Sequence, residues 1–224
     1  MAKQSEPTDE PIVLRLSMDW RWHRPKRRAD LPKGEPRHDE RPVKCVVGAS
    51  KIGAPANCLP FADQSVQLVD SGHILAYVRD DEGLAAELGR IVRPGGSVSI
   101  SVPATGPLAG LDAYNMHRYL VDVSGRGLRP YETAEIGWRR HFSLDDIRLL
   151  FPESHWDITS RERSGMAIEE MIRMAGFVGF RWLRPSRDRY RKISALADRI
   201  ETVERRLPIP GGFWLELVLR RIEK

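Results

Sequence analysis

Residues 57–103 spell out a complete strand–helix–strand unit, and that unit limits what the rest of the chain can be. Val66-Gln67-Leu68-Val69-Asp70 is a short β-branched and apolar run behind the polar turn Ala62-Asp63-Gln64-Ser65, a pattern that predicts a buried strand. From Asp80 onward, Leu84, Leu88, Ile91 and Val92 recur at a spacing that lines one side of a helix. Pro94-Gly95-Gly96 predicts the end of that helix, because Pro disfavours helical geometry before it and Gly permits a left-handed exit. Residues 97–102 then alternate polar and apolar, as a strand does. A βαβ unit of this kind predicts an α/β fold, with a mostly parallel sheet and helices on its faces.

The same residues carry a resemblance. Leu59-Pro60-Phe61-Ala62-Asp63, Ser65-Val66 and Leu68-Val69, followed one helix later by Arg90, Arg93-Pro94-Gly95-Gly96 and a strand, resemble the class I S-adenosylmethionine-dependent methyltransferases. The similarity is to the small-molecule branch of that family. Phe142-Ser143-Leu144-Asp145-Asp146-Ile147 resembles a helix start found downstream in the same branch. The resemblance implies a Rossmann-like sheet that binds S-adenosylmethionine and moves its methyl group to a small-molecule or glycan-type acceptor.

Composition sets the frame for that reading. A chain of 224 residues with 41% hydrophobic and 30% charged residues is long enough for one well-buried domain. A loose start at residues 1–10 and a single domain over residues 11–224 are expected. The net charge of +5 permits a polyanionic or membrane-surface partner without requiring one. No run reaches the ~20 apolar residues of a membrane span, and the first residues lack the apolar centre of a signal peptide. Cys45 and Cys58 make neither a disulfide framework nor a zinc pattern, so reduced thiols and a cytoplasmic location are expected. No histidine and carboxylate spacing points to a metal.

Elsewhere, residues 12–16 and 43–47 read as strands, residues 48–56 as irregular, 144–150 as a helix capped by Ser143, and 156–159 as a strand. Residues 104–137 form an insertion on the side where such sheets bind acceptors. Residues 165–207 form a helical insertion, in which Ile193, Leu196, Ile200, Val203 and Leu207 share one face expected to pack on the core. Residues 213–222 read as a last, antiparallel edge strand.

Four features of the family pattern are absent or replaced. No glycine follows the first strand before Gly34, and no carboxylate follows Val47. Ala56 stands where an acidic residue beside the adenine is usual, and Gln67 where an Asp is usual. The N-terminal half is therefore expected to be shortened or remodelled. In an alternative alignment, residues 43–47 are the first strand and Gly48 and Gly53 supply the close backbone approach. A second function class also stays open: a non-catalytic relative that keeps the sheet as a binding scaffold or partner subunit.

By resemblance, Ser17, Asn57, Leu59, Pro60 and Phe61 line the adenosine side of the cofactor site, and Ser71, Gly72 and His73 its methyl side. His117 and His141, each beside arginine and aromatic residues, are the expected general bases, with Arg118 and Tyr131 on the acceptor. Residues 20–28, Trp20-Arg21-Trp22-His23-Arg24-Pro25-Lys26-Arg27-Arg28, suit a nucleic acid or an anionic membrane surface, although a solvated basic loop is the simpler reading.

Overall fold

A computed structural model describes residues 12–18, 43–47, 50–78, 80–124, 139–183 and 187–223. The βαβ unit is at its centre: β4 (Val66–Asp70), α1 (Asp81–Ile91) and β5 (Val92–Pro103). Asp80 caps α1 by accepting from the Gly83 N–H. Leu84, Leu88 and Ile91 point inward as the spacing predicts. The helix end differs from the sequence expectation. It ends at Ile91, and β5 begins at Val92, so Pro94-Gly95-Gly96 lies inside the strand, beside an irregularity in its register with β4. A Cβ on Gly96 would sit 2.8 Å from the Gln67 carbonyl oxygen, so close approach of two backbones accounts for that glycine.

β1 (Val13–Met18) runs parallel to β4. β2 (Val43–Val47) and β3 (Ser50–Ala54) follow as antiparallel ladders, and the strand order is β3-β2-β1-β4-β5-β7-β6. β3 was expected to be irregular and is a paired strand. β6 (Trp156–Ser164) and β7 (Trp214–Arg221) complete the sheet. β7 is antiparallel, but it lies between β5 and β6 and is not an edge. The sheet is thus a mixed, seven-stranded, Rossmann-like one. Among the described residues, only β1–β4 and β4–β5 form parallel ladders.

The β1–β2 ladder explains one departure from the family pattern. Met18 pairs with Val43 and Leu14 with Val47, so the end of β2 lies at the opposite edge from the end of β1. A carboxylate after Val47 would not reach the rim formed by the carboxyl ends of β1 and β4. The alternative alignment is also removed: β2 does not neighbour β4, and Gly53 pairs with Lys44 within the ladder.

One face of the sheet carries the core. Leu14, Leu16, Val69, Val98, Ile100, Val102, Leu217 and Leu219 pack with Leu84, Leu88 and Ile91 of α1 and with Ile147 of α3 (Leu144–Leu150). Ser143 caps α3 in a capping box with Asp146. The opposite face is polar, with Arg15, Asp70, Ser97, Ser99, Ser101 and Glu216 in register. Alternation of Ser with Val and Ile along β5 is what a strand with one solvated face requires. Contact with this face comes at its carboxyl end, from the segment following α4 (Ile168–Leu183) and α5 (Arg187–Glu204).

Candidate functional site

The Leu-Pro-Phe turn and the Arg of the family pattern form one clamp. Arg90, in the last turn of α1, donates to the carbonyls of Leu59 (3.0 Å) and Phe61 (2.8 Å) and to Asp63 (2.7 Å). Glu87 accepts from the Leu59 N–H at 2.7 Å and is itself held by Arg90. Leu59 is buried in the core, Phe61 is half-buried and Pro60 is exposed. These contacts place the turn at the carboxyl end of α1 and give Leu59, Asp63 and Arg90 a structural role there.

Asn57 lies apart from that clamp, hydrogen-bonded to Asp80 at the amino end of α1 at 3.0 Å. Ser17 is an exposed residue of β1 paired with Lys44. The fully buried Ser71 donates its hydroxyl to the Ser99 carbonyl and locks β4 to β5. Gly72 has a left-handed φ of +50°, and a Cβ there would meet nothing closer than the Leu16 carbonyl at 3.8 Å. The Gly72 N–H donates to Asp70 Oδ1 at 3.2 Å and its carbonyl accepts from the Ser101 N–H at 3.0 Å, so what the glycine leaves at the β1–β4 rim is the space of a missing side chain.

His73 turns toward the helical insertion. Its Nδ1 is 3.3 Å from the Ser101 carbonyl, and Arg205 Nη2 is 3.0 Å from Nε2. These partners assign the neutral Nδ1–H tautomer, with Nε2 accepting from the guanidinium. Burial and then the Arg205 charge push its pKa down to about 4. Arg205 also binds Ser101, Glu201 and Glu216 and lies over the Trp214 ring at 4.0 Å.

Beyond β5 the chain assembles a buried ionic cluster. Asp112 and Glu170 are each 1% exposed, and the 4% exposed Arg139 bridges them. Its Nε donates to Asp112 Oδ2 at 2.6 Å, and Nη2 donates to Glu170 Oε1. Burial drives Asp112 upward, but the Arg139 charge and the hydrogen bonds from His141, Asn115 and Arg139 hold it below the ordinary carboxylate range. Asn115, in α2 (Ala113–Ser124), exchanges two hydrogen bonds with the Arg139 backbone. Tyr114 and Phe213 flank the guanidinium at 5.0 and 5.3 Å. Two carboxylates share this one guanidinium. The Ala113 and Asn115 N–H groups satisfy their other oxygens and His141 donates to Asp112 as well, without which such burial would be costly.

His141 joins this cluster through Nε2, 2.8 Å from Asp112 Oδ2. With that proton directed at the carboxylate, Nδ1 keeps its lone pair. His117, by contrast, is 3% exposed on α2, so its ring is closed to solvent. Arg118 lies on α2, but its side chain falls outside the described residues, as do Tyr131 and residues 20–28. Among the described residues no group of three or more His, Cys, Asp or Glu side chains is arranged to hold a metal. Cys45 and Cys58 are free thiols. No helix among the described residues is long and apolar enough to cross a membrane.

Sequence reading missed Asp112, Glu170, Glu201, Glu204 and Arg205. Glu204 accepts from the N–H groups of Met166, Ile168 and Glu169 and so caps α4 across the hairpin. Glu169 is buried beside it, accepts from Trp214 Nε1 at 3.0 Å, and is pushed up to about 8 by burial and by its hydrogen bond to Glu204. The acidic pair Glu169-Glu170 at a helix start was the one signal available. A separate cleft of about 510 Å³ between α1 and α3, lined by Ala85, Gly89, Leu150 and Trp156, contains none of these residues.

Comparison with known proteins agrees with the motif. Residues 35–100 match the family model of a methyltransferase domain. No curated protein matches it. Among solved structures, it is similar to a loganic acid methyltransferase with SAH (12% identity, 76% of this chain and 66% of that one, TM-score 0.44). A SAM-dependent methyltransferase from Methanosarcina mazei gives 13% identity, 76% and 66% coverage and a TM-score of 0.44. The [4+2]-cyclase SpnF gives 14% identity, 76% and 55% coverage and a TM-score of 0.44. The chain spans less than two thirds of the length of each of these three proteins.

Proposed function

We propose that this chain transfers a methyl group from S-adenosylmethionine to a small-molecule acceptor, glycan-type acceptors included, that carries a hydroxyl. The observation that carries the reading is the Asp112–His141 pair, 2.8 Å apart at the carboxyl end of β5. It stands beside a methyltransferase signature in residues 35–100.

The missing side chain at Gly72 leaves room for an adenosyl ligand at the rim, and Gly72, Ser17 and Asn57 are the residues that would line it. Bound there, the cofactor supplies an electrophilic methyl group on a sulfonium. The protein's own part is alignment and proton transfer. Asp112 accepts the His141 Nε2–H and fixes the ring, which leaves Nδ1 to take the acceptor's hydroxyl proton. Arg139 holds Asp112 ionised, so the carboxylate orients the base without competing for its proton. His73, with both nitrogens engaged, takes no proton and keeps Arg205 over Trp214.

Release of S-adenosylhomocysteine from S-adenosylmethionine, measured across a panel of hydroxyl acceptors, tests this. His141→Asn is expected to lower turnover by about 10²–10⁴-fold with cofactor affinity kept. Full turnover in that variant would remove the base from the scheme. A second reading, a non-catalytic scaffold, is favoured by the β2–β3 arrangement, which brings no carboxylate from the end of β2 to the rim. It predicts no cofactor binding at all.

A further inference from the structure

The helix α5 is docked the wrong way round for a core helix. Its inward side is mostly polar. Asp198 and Glu201 pair with Arg173 of α4 at 2.8 and 2.9 Å, Glu204 caps α4, and among the described side chains Ile193 and Ala197 are the apolar groups packed inward. The stripe expected in the core faces water instead. Leu196 is 50% exposed, Val203 59% and Leu207 52%, with Ile200 half-buried between them. Leu196, Ile200 and Val203 recur at the spacing of one helix face, and Leu207 follows in the turn after the helix. Lys192, Arg199 and Arg206 run along the free flank of that stripe, all exposed and without an ion pair among the described residues.

We propose that this face of α5 docks on an anionic lipid surface. An apolar stripe beside a row of cations, on a helix of low overall hydrophobicity, lies at the headgroup boundary with the stripe in the acyl region and the cations among phosphates. Charge selects this occupant. A second copy of the chain meeting the stripe would bring two rows of Lys192, Arg199 and Arg206 together, and a nucleic acid would leave Val203 and Leu207 in water. Residues 20–28, also basic and aromatic, give the experiment its necessary control.

Flotation of the full chain with vesicles of neutral phosphatidylcholine, or of the same lipid with phosphatidylserine added, reads the proposal out. The wild type is expected to float with the anionic vesicles only, and to be released by high salt. Val203→Asp with Leu207→Asp is expected to abolish flotation. Lys192→Glu, Arg199→Glu and Arg206→Glu are each expected to weaken it about fivefold or more. Both sets keep the wild-type melting temperature, because the sites are exposed. Failure of the wild type to float at low salt overturns the proposal. So does unchanged flotation of the Asp double variant, which assigns binding to residues 20–28. A dimer in light scattering that the double variant dissolves assigns the stripe to a second copy and overturns it as well.

Discussion

Arg139→Met tests the buried cluster with the largest expected effect. Methionine keeps much of the side-chain volume but leaves Asp112 and Glu170, each 1% exposed, facing one another without the shared cation. Removing one partner of a buried ionic group costs about 3–5 kcal/mol. At about 2–4 °C per kcal/mol for a domain of this size, that is a fall in Tm of roughly 6–20 °C. The pH dependence carries the diagnosis. In the wild type the Asp112 carboxyl is held below its ordinary value, so its contribution is present at neutral pH and is lost as pH falls through the folded value. Without Arg139 that contribution is missing at neutral pH, so the gap between variant and wild type is widest there and narrows toward acid. Urea denaturation at several pH values measures it. A loss below about 1 kcal/mol at pH 7, or a gap that does not change with pH, would refute the reasoning.

Glu169 makes the opposite prediction. Its folded pKa of about 8 lies above the model-peptide value of 4.5, so the stability it contributes is present below 4.5 and is lost as pH rises through 8. Glu169→Gln, which mimics the protonated form, is expected to outlast the wild type in thermal melts by a margin that grows up to about pH 8. Arg90→Ala releases the carbonyls of Leu59 and Phe61 and is expected to cost about 1–3 kcal/mol in urea midpoint with an unchanged m-value. The Leu59 and Phe61 amides would exchange faster. Arg205→Gln removes the second cause, after burial, of the low His73 pKa, and NMR titration is expected to find that histidine above about 4.

The parallel centre of the fold is legible from residues 66–102 because strand and helix periods differ, and the βαβ handedness rule then leaves little choice. The rest yields to sequence unevenly. Ser97, Ser99 and Ser101 alternate with Val98, Ile100 and Val102, which is the mark of a sheet with one polar face. The βαβ unit pointed instead to a mostly parallel sheet with helices on its faces. The β2–β3 ladder was hidden because residues 48–56 look small and irregular, and because an antiparallel pairing needs only two residues between Val47 and Ser50. In α5 the stripe was visible, but its direction was not. Periodicity shows that residues share a face, and only the ionic docking of Asp198 and Glu201 on Arg173 reveals which face turns inward.

Much the same holds for the site. His141 was found from its neighbours, whereas Asp112 and Glu170 lie 27 and 31 residues from Arg139 along the chain and meet it only in the fold. Leu59 and Phe61 were read through the family as cofactor contacts, yet their backbone groups are bound to Glu87 and Arg90. A motif can recur because it closes a turn as well as because it touches a ligand.

Calorimetric titration with S-adenosylhomocysteine, supported by thermal melting, tests the central claim most directly. A rim that a side chain does not fill at Gly72 predicts saturable binding, with stabilisation of about 2.7 kcal/mol at 100 times Kd. It also predicts loss of that binding in Gly72→Val. Neither heat nor a melting shift at millimolar ligand would contradict the methyltransferase reading and leave the sheet as a scaffold.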